Sequence, residues 1–257
     1  MATIPAKSDE LRKDSVWNAV RDFFLPSRCP VCLCSISFPQ TICSECLRAF
    51  HYIDHPRCER CGTPFKSPEQ DDHLCQSCLF DEWSFDGALS IFFYRGALRD
   101  AVHRFKYSGR VVLAAALANL IRQRAAEWVE HDGADVMVPV PSRTPNLRRR
   151  GFNPPLMLAR NLHRPWDLEL APEALRCIKD IDSQAGLNRK QRRKNVKGAF
   201  AADKMRVQGR SVLLFDDVFT TGATADECAK VLKRAGASRV RVLTLARTVD
   251  WDIRPQI

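Results

Sequence analysis

No stretch of this chain is apolar for long enough to cross a bilayer. The longest runs from about Val111 to Ile121, interrupted only by Asn119, well short of the roughly 20 residues that a spanning helix needs. The N-terminal stretch MATIPAKSDELRKDS has no apolar core of the kind a signal peptide carries. No membrane insertion is expected, and a cytoplasmic location is the default. Disulfides are not expected in that compartment, so clustered cysteines read as metal ligands. No segment has the form of a DNA recognition helix.

What the chain does have is cysteine and positive charge, kept apart. Its 257 residues are 45% apolar, which suits a packed core and argues against a mainly disordered chain. Eleven cysteines are present, nine of them between Cys29 and Cys78, and the formal net charge is +10. Residues 1–84 hold 9 Lys/Arg and 12 Asp/Glu, whereas residues 85–257 hold 31 and 18. The length suits one ordinary domain plus a small one. The expected organisation is an N-terminal helix over 1–25, a cysteine module over 26–84 and a larger domain over 85–250. Ser8 would cap the helix, Pro26 would stop it, and Val16, Val20, Phe23 and Phe24 would form its apolar face.

Eight of the early cysteines form four CxxC pairs: Cys29/Cys32, Cys43/Cys46, Cys58/Cys61 and Cys75/Cys78. A CxxC turn sets two thiolates on one side of a tight knuckle, and two knuckles complete a tetrahedral S₄ shell that suits Zn²⁺. Two structural zinc ions are therefore expected. Sequential pairing, first knuckle with second and third with fourth, makes each half a compact ribbon; a cross-brace is the alternative. Cys34, Cys177 and Cys228 are expected to be small buried hydrophobes. His51, His55 and His73 could serve as ligands, but eight cysteines already fill two sites.

In the second half, strands alternate with helices. Residues 85–94, 135–140, 211–216 and 239–246 read as strands. Residues 97–107, 111–130, 155–162 and 224–235 read as helices. The class is α/β with a mainly parallel sheet. The decisive segment is Leu213-Leu214-Phe215-Asp216-Asp217-Val218-Phe219-Thr220-Thr221-Gly222-Ala223-Thr224. An apolar strand delivers two carboxylates, a hydroxyl-rich turn follows, and then a helix begins. Backbone N–H groups in such a turn point at one spot and make a phosphate site, while Gly222 permits close approach. Asp216 and Asp217 can accept hydrogen bonds from ribose hydroxyls. The segment is neither a Walker A loop nor a G-x-G-x-x-G fingerprint.

This block resembles the 5-phosphoribosyl 1-pyrophosphate (PRPP) signature of type I phosphoribosyltransferases. With the CxxC pairs, Tyr94-Arg95-Gly96, Phe105-Lys106-Tyr107, Pro139-Val140-Pro141, Arg150-Gly151-Phe152-Asn153, Ser183-Gln184 and Arg192 to Phe200, the chain is similar to the ComF family. The resemblance covers roughly residues 25–247. It implies a type I phosphoribosyltransferase-like parallel sheet flanked by helices, with a small N-terminal double zinc ribbon. It also implies that Asp216 and Asp217 hold the ribose hydroxyls through Mg²⁺ and its waters. Thr220, Thr221, Gly222, Ala223 and Thr224 would cradle the 5′-phosphate, and Lys106, Ser142, Arg143 and Arg150 would lie on the pyrophosphate side. Residues 183–197 resemble a lid, with Arg189, Lys190, Arg192, Arg193 and Lys194 closing over pyrophosphate or meeting nucleic acid. This sequence departs from the family at Pro154-Pro155 and at bulky Phe219.

The window 143–197 holds 14 Lys/Arg against 5 Asp/Glu. It reads as a solvated face, a pyrophosphate pocket or a single-stranded DNA groove. Phe152 and Trp166 are core residues on one reading and base-stacking platforms on the other. The resemblance implies a role in DNA uptake, with other competence proteins as further partners. Two function classes follow: an enzyme passing ribose 5-phosphate to an unidentified acceptor, and a non-catalytic, DNA-binding factor with PRPP as ligand.

Overall fold

The computed structural model describes residues 28–37, 40–67, 71–80, 82–109, 111–179 and 189–249. The expected helix over 1–25 and residues 183–188 of the expected lid lie outside them. Two compact units divide the chain, Met1–Ala49 and Phe50–Ile257. The first two cysteine knuckles fall in the first unit, and the third and fourth fall in the second.

In the first unit, the Cys29 knuckle closes through Leu33 N–H to the Cys29 carbonyl, with Leu33 in the left-handed region at φ 69°. The short helix α1 (Ser44–Arg48) starts directly from Cys43, whose sulfur accepts the Cys46 N–H.

The second unit opens with α2 (Gln76–Phe80) and is built on five parallel strands. These are β1 (Gly87–Phe93), β2 (Val136–Pro139), β3 (Glu169–Leu170), β6 (Ser211–Phe219) and β7 (Arg239–Arg247). Their order across the sheet is β1-β7-β6-β2-β3. The helices are α3 (Gly96–Tyr107), α4 (Leu113–Asp132), α5 (Thr144–Arg150), α6 (Pro154–Leu162), α7 (Arg189–Val196), α8 (Lys204–Val207) and α9 (Ala223–Arg234). A separate antiparallel pair joins β4 (Leu175–Cys177) to β5 (Phe200–Ala202). Strands β2, β6 and β7 are almost wholly buried. That is why they read as continuous apolar runs: a parallel sheet is covered on both faces.

Two departures from the expected elements bear on the site. Strand β6 runs past Asp216 to Phe219, because β7 continues to pair with it as far as Phe219 opposite Arg247. Its other neighbour stops earlier, at Pro139 opposite Phe215. The basic run beginning at Thr144 folds into α5, started by a proline in its first turn and closed by Gly151 in the left-handed region. Pro154-Pro155 likewise opens α6, where missing N–H groups cost nothing.

Candidate functional site

Parallel strands place all their C-terminal ends on one edge, and the crevice outside that edge is where open α/β sheets hold ligands. Beyond Pro139, β2 leaves β6 without a neighbour on that side, and Asp216 and Asp217 emerge there. A cleft of about 490 Å³ opens at this edge. It brings together Asp216, Asp217, Thr220 and Thr224 with Lys106, Ser142, Arg143, Arg150 and Arg192. Most of the site residues expected from the sequence therefore converge.

The charges in the cleft are interlocked. Lys106, near the end of α3, reaches Asp217 with Nζ 2.7 Å from Oδ2. Burial pushes the Lys106 ammonium down, but Asp217 outweighs that and holds it above its ordinary value. Burial and the neighbouring Asp217 charge push the Asp216 carboxyl up to about 7. The Asp217 N–H, donating to Asp216 Oδ1 at 2.8 Å, only partly offsets this. Two carboxylates this close call for a cation, and Lys106 supplies one.

The turn after β6 is tightly formed. Gly222 is left-handed at φ 77° and caps α9. A Cβ at this position would lie 2.6 Å from Phe219 Cζ and 2.8 Å from Trp83 Cζ3. Only glycine satisfies both the backbone and the space. Thr220 and Thr224 line the cleft. The Thr221 hydroxyl instead accepts the Ala223 N–H at 3.4 Å, and Ala223 is buried.

On the opposite wall, Asn153 fastens the loop after β2. Its amide donates to the Val140 carbonyl at 3.1 Å and accepts the Ser142 hydroxyl at 3.0 Å. Arg150 lies across the Tyr107 ring, 4.6 Å from its centroid, and donates to the Tyr107 hydroxyl at 2.6 Å. Arg150 Nε is buried without a hydrogen-bond partner among the described residues. Tyr94 and Tyr107 also line the cleft, and burial raises the Tyr94 phenol. The sequence reading did not assign Trp83, Tyr94, Tyr107 or Asn153 a role. Tyr94, Tyr107 and Asn153 lay within motifs already noted, beside Arg95-Gly96, Lys106 and Gly151-Phe152. Trp83 lay at the end of the expected cysteine module, where no motif marked it.

The expected lid residues divide. Arg189 and Lys190 open α7, Arg192 lines the cleft, Arg193 lies over Trp83 at 5.3 Å, and Lys194 is exposed. Phe152 packs 5.4 Å from the buried Phe105, while Trp166 is half-buried in a 3₁₀ turn. A second cleft, about 380 Å³, is lined by Asp54, Arg57, Arg124 and Glu127, among others. Its charges balance, and Arg124 pairs with Asp54.

The cysteines gather sequentially. Cys29, Cys32, Cys43 and Cys46 form one group, Cys58, Cys61, Cys75 and Cys78 the other, with sulfurs in each group within 4.8 Å of one another. Cys61 and Cys75 sulfurs lie 3.7 Å apart and Cys32 and Cys43 sulfurs 3.6 Å apart. Tetrahedral zinc–thiolate bonding sets that spacing at about 3.8 Å. Both donor sets therefore fit structural zinc. The histidines stay outside: His55 pairs with Asp72 at 2.7 Å, and His73 stacks on Phe65. Cys228 is buried as expected, and Cys177 is half-buried. Cys34 is not buried. It is exposed, with its sulfur 3.3 Å from that of Cys32, because the short Cys29 knuckle carries it round to the same side.

The second cluster is set into the sheet's own core. Cys58, Cys61, Cys78 and Trp83 share a buried cluster with Phe219, Ala223 and residues of β2, β6 and β7. Arg247, buried at the end of β7, donates to the Cys61 carbonyl and to the Thr63 hydroxyl.

The fold defines an α/β protein built on a five-stranded parallel sheet, and it carries an N-terminal zinc-ribbon module. A family profile described as "Double zinc ribbon domain" matches residues 20–79. The DNA utilization protein YhgH of Escherichia coli strain K12 is 32% identical over 234 residues, covering 88% of this chain and 99% of that one. Competence protein F of Haemophilus influenzae is 30% identical, covering 87% and 98%. The chain belongs to the ComF family. Competence protein ComFC of Streptococcus pneumoniae is 26% identical, covering 80% and 87%. Among solved structures, a Staphylococcus aureus hypoxanthine phosphoribosyltransferase matches at 15% identity and TM-score 0.29, over 53% of this chain and 69% of that one. Likeness this low adds no weight, and the site stands on its own geometry.

Proposed function

We propose that the chain binds PRPP at the carboxyl edge of its sheet and acts in DNA uptake or utilisation, the role its relatives' names carry. The reaction would transfer ribose 5-phosphate to an acceptor and release pyrophosphate. One observation carries this reading: the Asp216–Asp217 pair runs directly into the left-handed Gly222 turn that opens α9, within one cleft walled by cations.

Each residue then has a chemical task. Thr220, Thr224 and the backbone N–H groups of the turn hold the 5′-phosphate. Asp216 and Asp217 meet the ribose hydroxyls. Lys106, Arg143, Arg150 and Arg192 face the pyrophosphate, and Ser142 is held towards it by Asn153. Asp216 and Asp217 would hold Mg²⁺, which would neutralise charge on the leaving group. Departure of pyrophosphate from ribose C1 leaves an oxocarbenium-like centre, which nearby carboxylates stabilise and for which no protein nucleophile is needed.

Calorimetric titration with PRPP and Mg²⁺ tests the reading. The expected result is saturable binding that Asp217→Asn weakens at least tenfold. No heat and no saturation in the wild type would overturn it. Pyrophosphate release across candidate bases and nucleotides separates transfer from ligand binding alone.

The non-catalytic, DNA-binding reading gains from one feature. Arg148 and Arg149 of α5 are exposed and stand outside the cleft lining. Neutralising Arg192, Arg193 and Lys194 would disturb the cleft and Trp83 as well, and Arg149 lies over the cleft residue Tyr107 at 5.1 Å, so the cleaner variant is Arg148→Gln and Lys194→Gln together. Under this reading, that variant loses salt-sensitive single-stranded DNA binding while keeping PRPP.

A further inference from the structure

Trp83 touches three things that the PRPP reading treats separately. Its indole N–H donates to the Cys78 sulfur at 3.2 Å. Its ring edge closes over Gly222, where an added Cβ would lie 2.8 and 2.9 Å from Cζ3 and Cη2. Its face carries the Arg193 guanidinium of α7 at 5.3 Å. The ring is nearly buried, stacked on Phe85 at 5.0 Å and tilted against Phe219 at 6.5 Å. Its neighbour Ser84 donates its backbone N–H to Asp226, in the first turn of α9, at 2.7 Å. The segment is thus tied to the second cysteine cluster on one side and to the phosphate turn on the other.

We propose that Trp83 is a positioning residue through which the second cysteine cluster sets the shape of the phosphate turn. The inference rests on the PRPP reading above. A buried indole N–H needs a partner, and here that partner is a cluster sulfur rather than a backbone carbonyl, while Phe85 and Phe219 already fill the same core. The N–H···S contact makes the ring's position depend on where Cys78 stands. Zinc held by Cys58, Cys61, Cys75 and Cys78 fixes that sulfur as a thiolate, an acceptor stronger than a thiol. With the sulfur fixed, the ring stays against Gly222, and the turn keeps its left-handed form with its N–H groups converging. Without it, the ring loses the partner of its N–H, and its hold on Gly222 weakens. Arg193 ties α7 to the same ring, so the cation wall would follow.

Such coupling must run both ways. If zinc in the second cluster favours ligand at the turn, ligand must favour zinc by the same factor. The test uses the full chain loaded with zinc, a chromophoric chelator and PRPP as probe. The phase of zinc release that persists in Cys43→Ser, which disrupts the first cluster, belongs to the second. In the wild type, PRPP slows that phase several-fold. Trp83→Phe keeps the ring but loses the N–H. It releases this zinc faster, by about the 10–100-fold typical of lost hydrogen bonds to metal ligands, and PRPP no longer slows the release. A merely structural role would change the release rate but not its dependence on PRPP. A wild type that binds no PRPP sinks this inference together with the reading beneath it. A wild type that binds PRPP, with release protected equally in Trp83→Phe, sinks the coupling alone.

Discussion

Lys106 and Asp217 form a largely buried charge pair in the cleft, 15% and 11% exposed with a 2.7 Å contact. Removing Lys106 leaves the buried Asp217 beside Asp216 without its ammonium, which costs about 3–5 kcal/mol where burial is complete, whereas Asp217→Asn leaves Lys106 the neighbouring Asp216. Lys106→Met should destabilise the chain by about 2–3 kcal/mol, Asp217→Asn by less, and the double variant by less than the sum. A urea-denaturation double-mutant cycle reads this directly. Asp216 carries a pH signature of opposite sense to most carboxylates. Its folded value, about 7, lies above the ordinary 3.8, so the folded chain holds this proton more tightly than the unfolded one. Its contribution to stability is therefore present at low pH and lost as the pH rises through about 7. Asp216→Asn is fixed neutral. In urea melts it should gain stability relative to wild type at about pH 8, with the gain shrinking at about pH 5.

At the scale of elements, the site is made by where strands stop and how loops are tied. The β6 carboxylates are available because β2 ends opposite Phe215 while β7 carries β6 on to Phe219. The turn beyond depends on Gly222. Gly222→Ala meets both an unfavourable φ and the Phe219 and Trp83 rings. It should cost about 1–3 kcal/mol in thermal or urea unfolding and abolish PRPP binding by calorimetry. On the opposite wall, Asn153→Ala releases the loop bearing Ser142 and Arg143. With two side-chain hydrogen bonds lost, PRPP affinity should fall by about tenfold while the fold persists, as thermal unfolding and calorimetry together would show.

Across the whole molecule, the two cysteine clusters are chemically alike but differently housed. The second shares a hydrophobic core with the sheet, through Trp83, Phe219 and the bonds from Arg247 to the Cys61–Thr63 knuckle. Metal analysis should find two zinc ions per chain. Cys58→Ser should remove one and lower the main melting transition by far more than the about 2–4 °C that one kcal/mol represents in a chain of this size. Cys29→Ser should remove the other, which metal analysis of the two variants distinguishes.

The four CxxC pairs and the Asp216-to-Thr224 block were legible from sequence because their chemistry is local. A knuckle needs only two thiols three residues apart. A phosphate turn needs only a strand, a few small residues and a helix start. Buried parallel strands likewise announce themselves as unbroken apolar runs, so most elements of the sheet could be read directly. What the linear order could not hold is which distant residues meet. Lys106 and Asp217 are 111 positions apart and pair only because the fold packs the last turn of α3 beside β6. Asn153 acts on a loop eleven residues earlier, through a turn that α5 creates. Trp83 drew no role at the end of the cysteine module because nothing next to it in the chain explains it. Its partners, Cys78, Gly222 and Arg193, come from three separate elements that only the folded core brings to one ring.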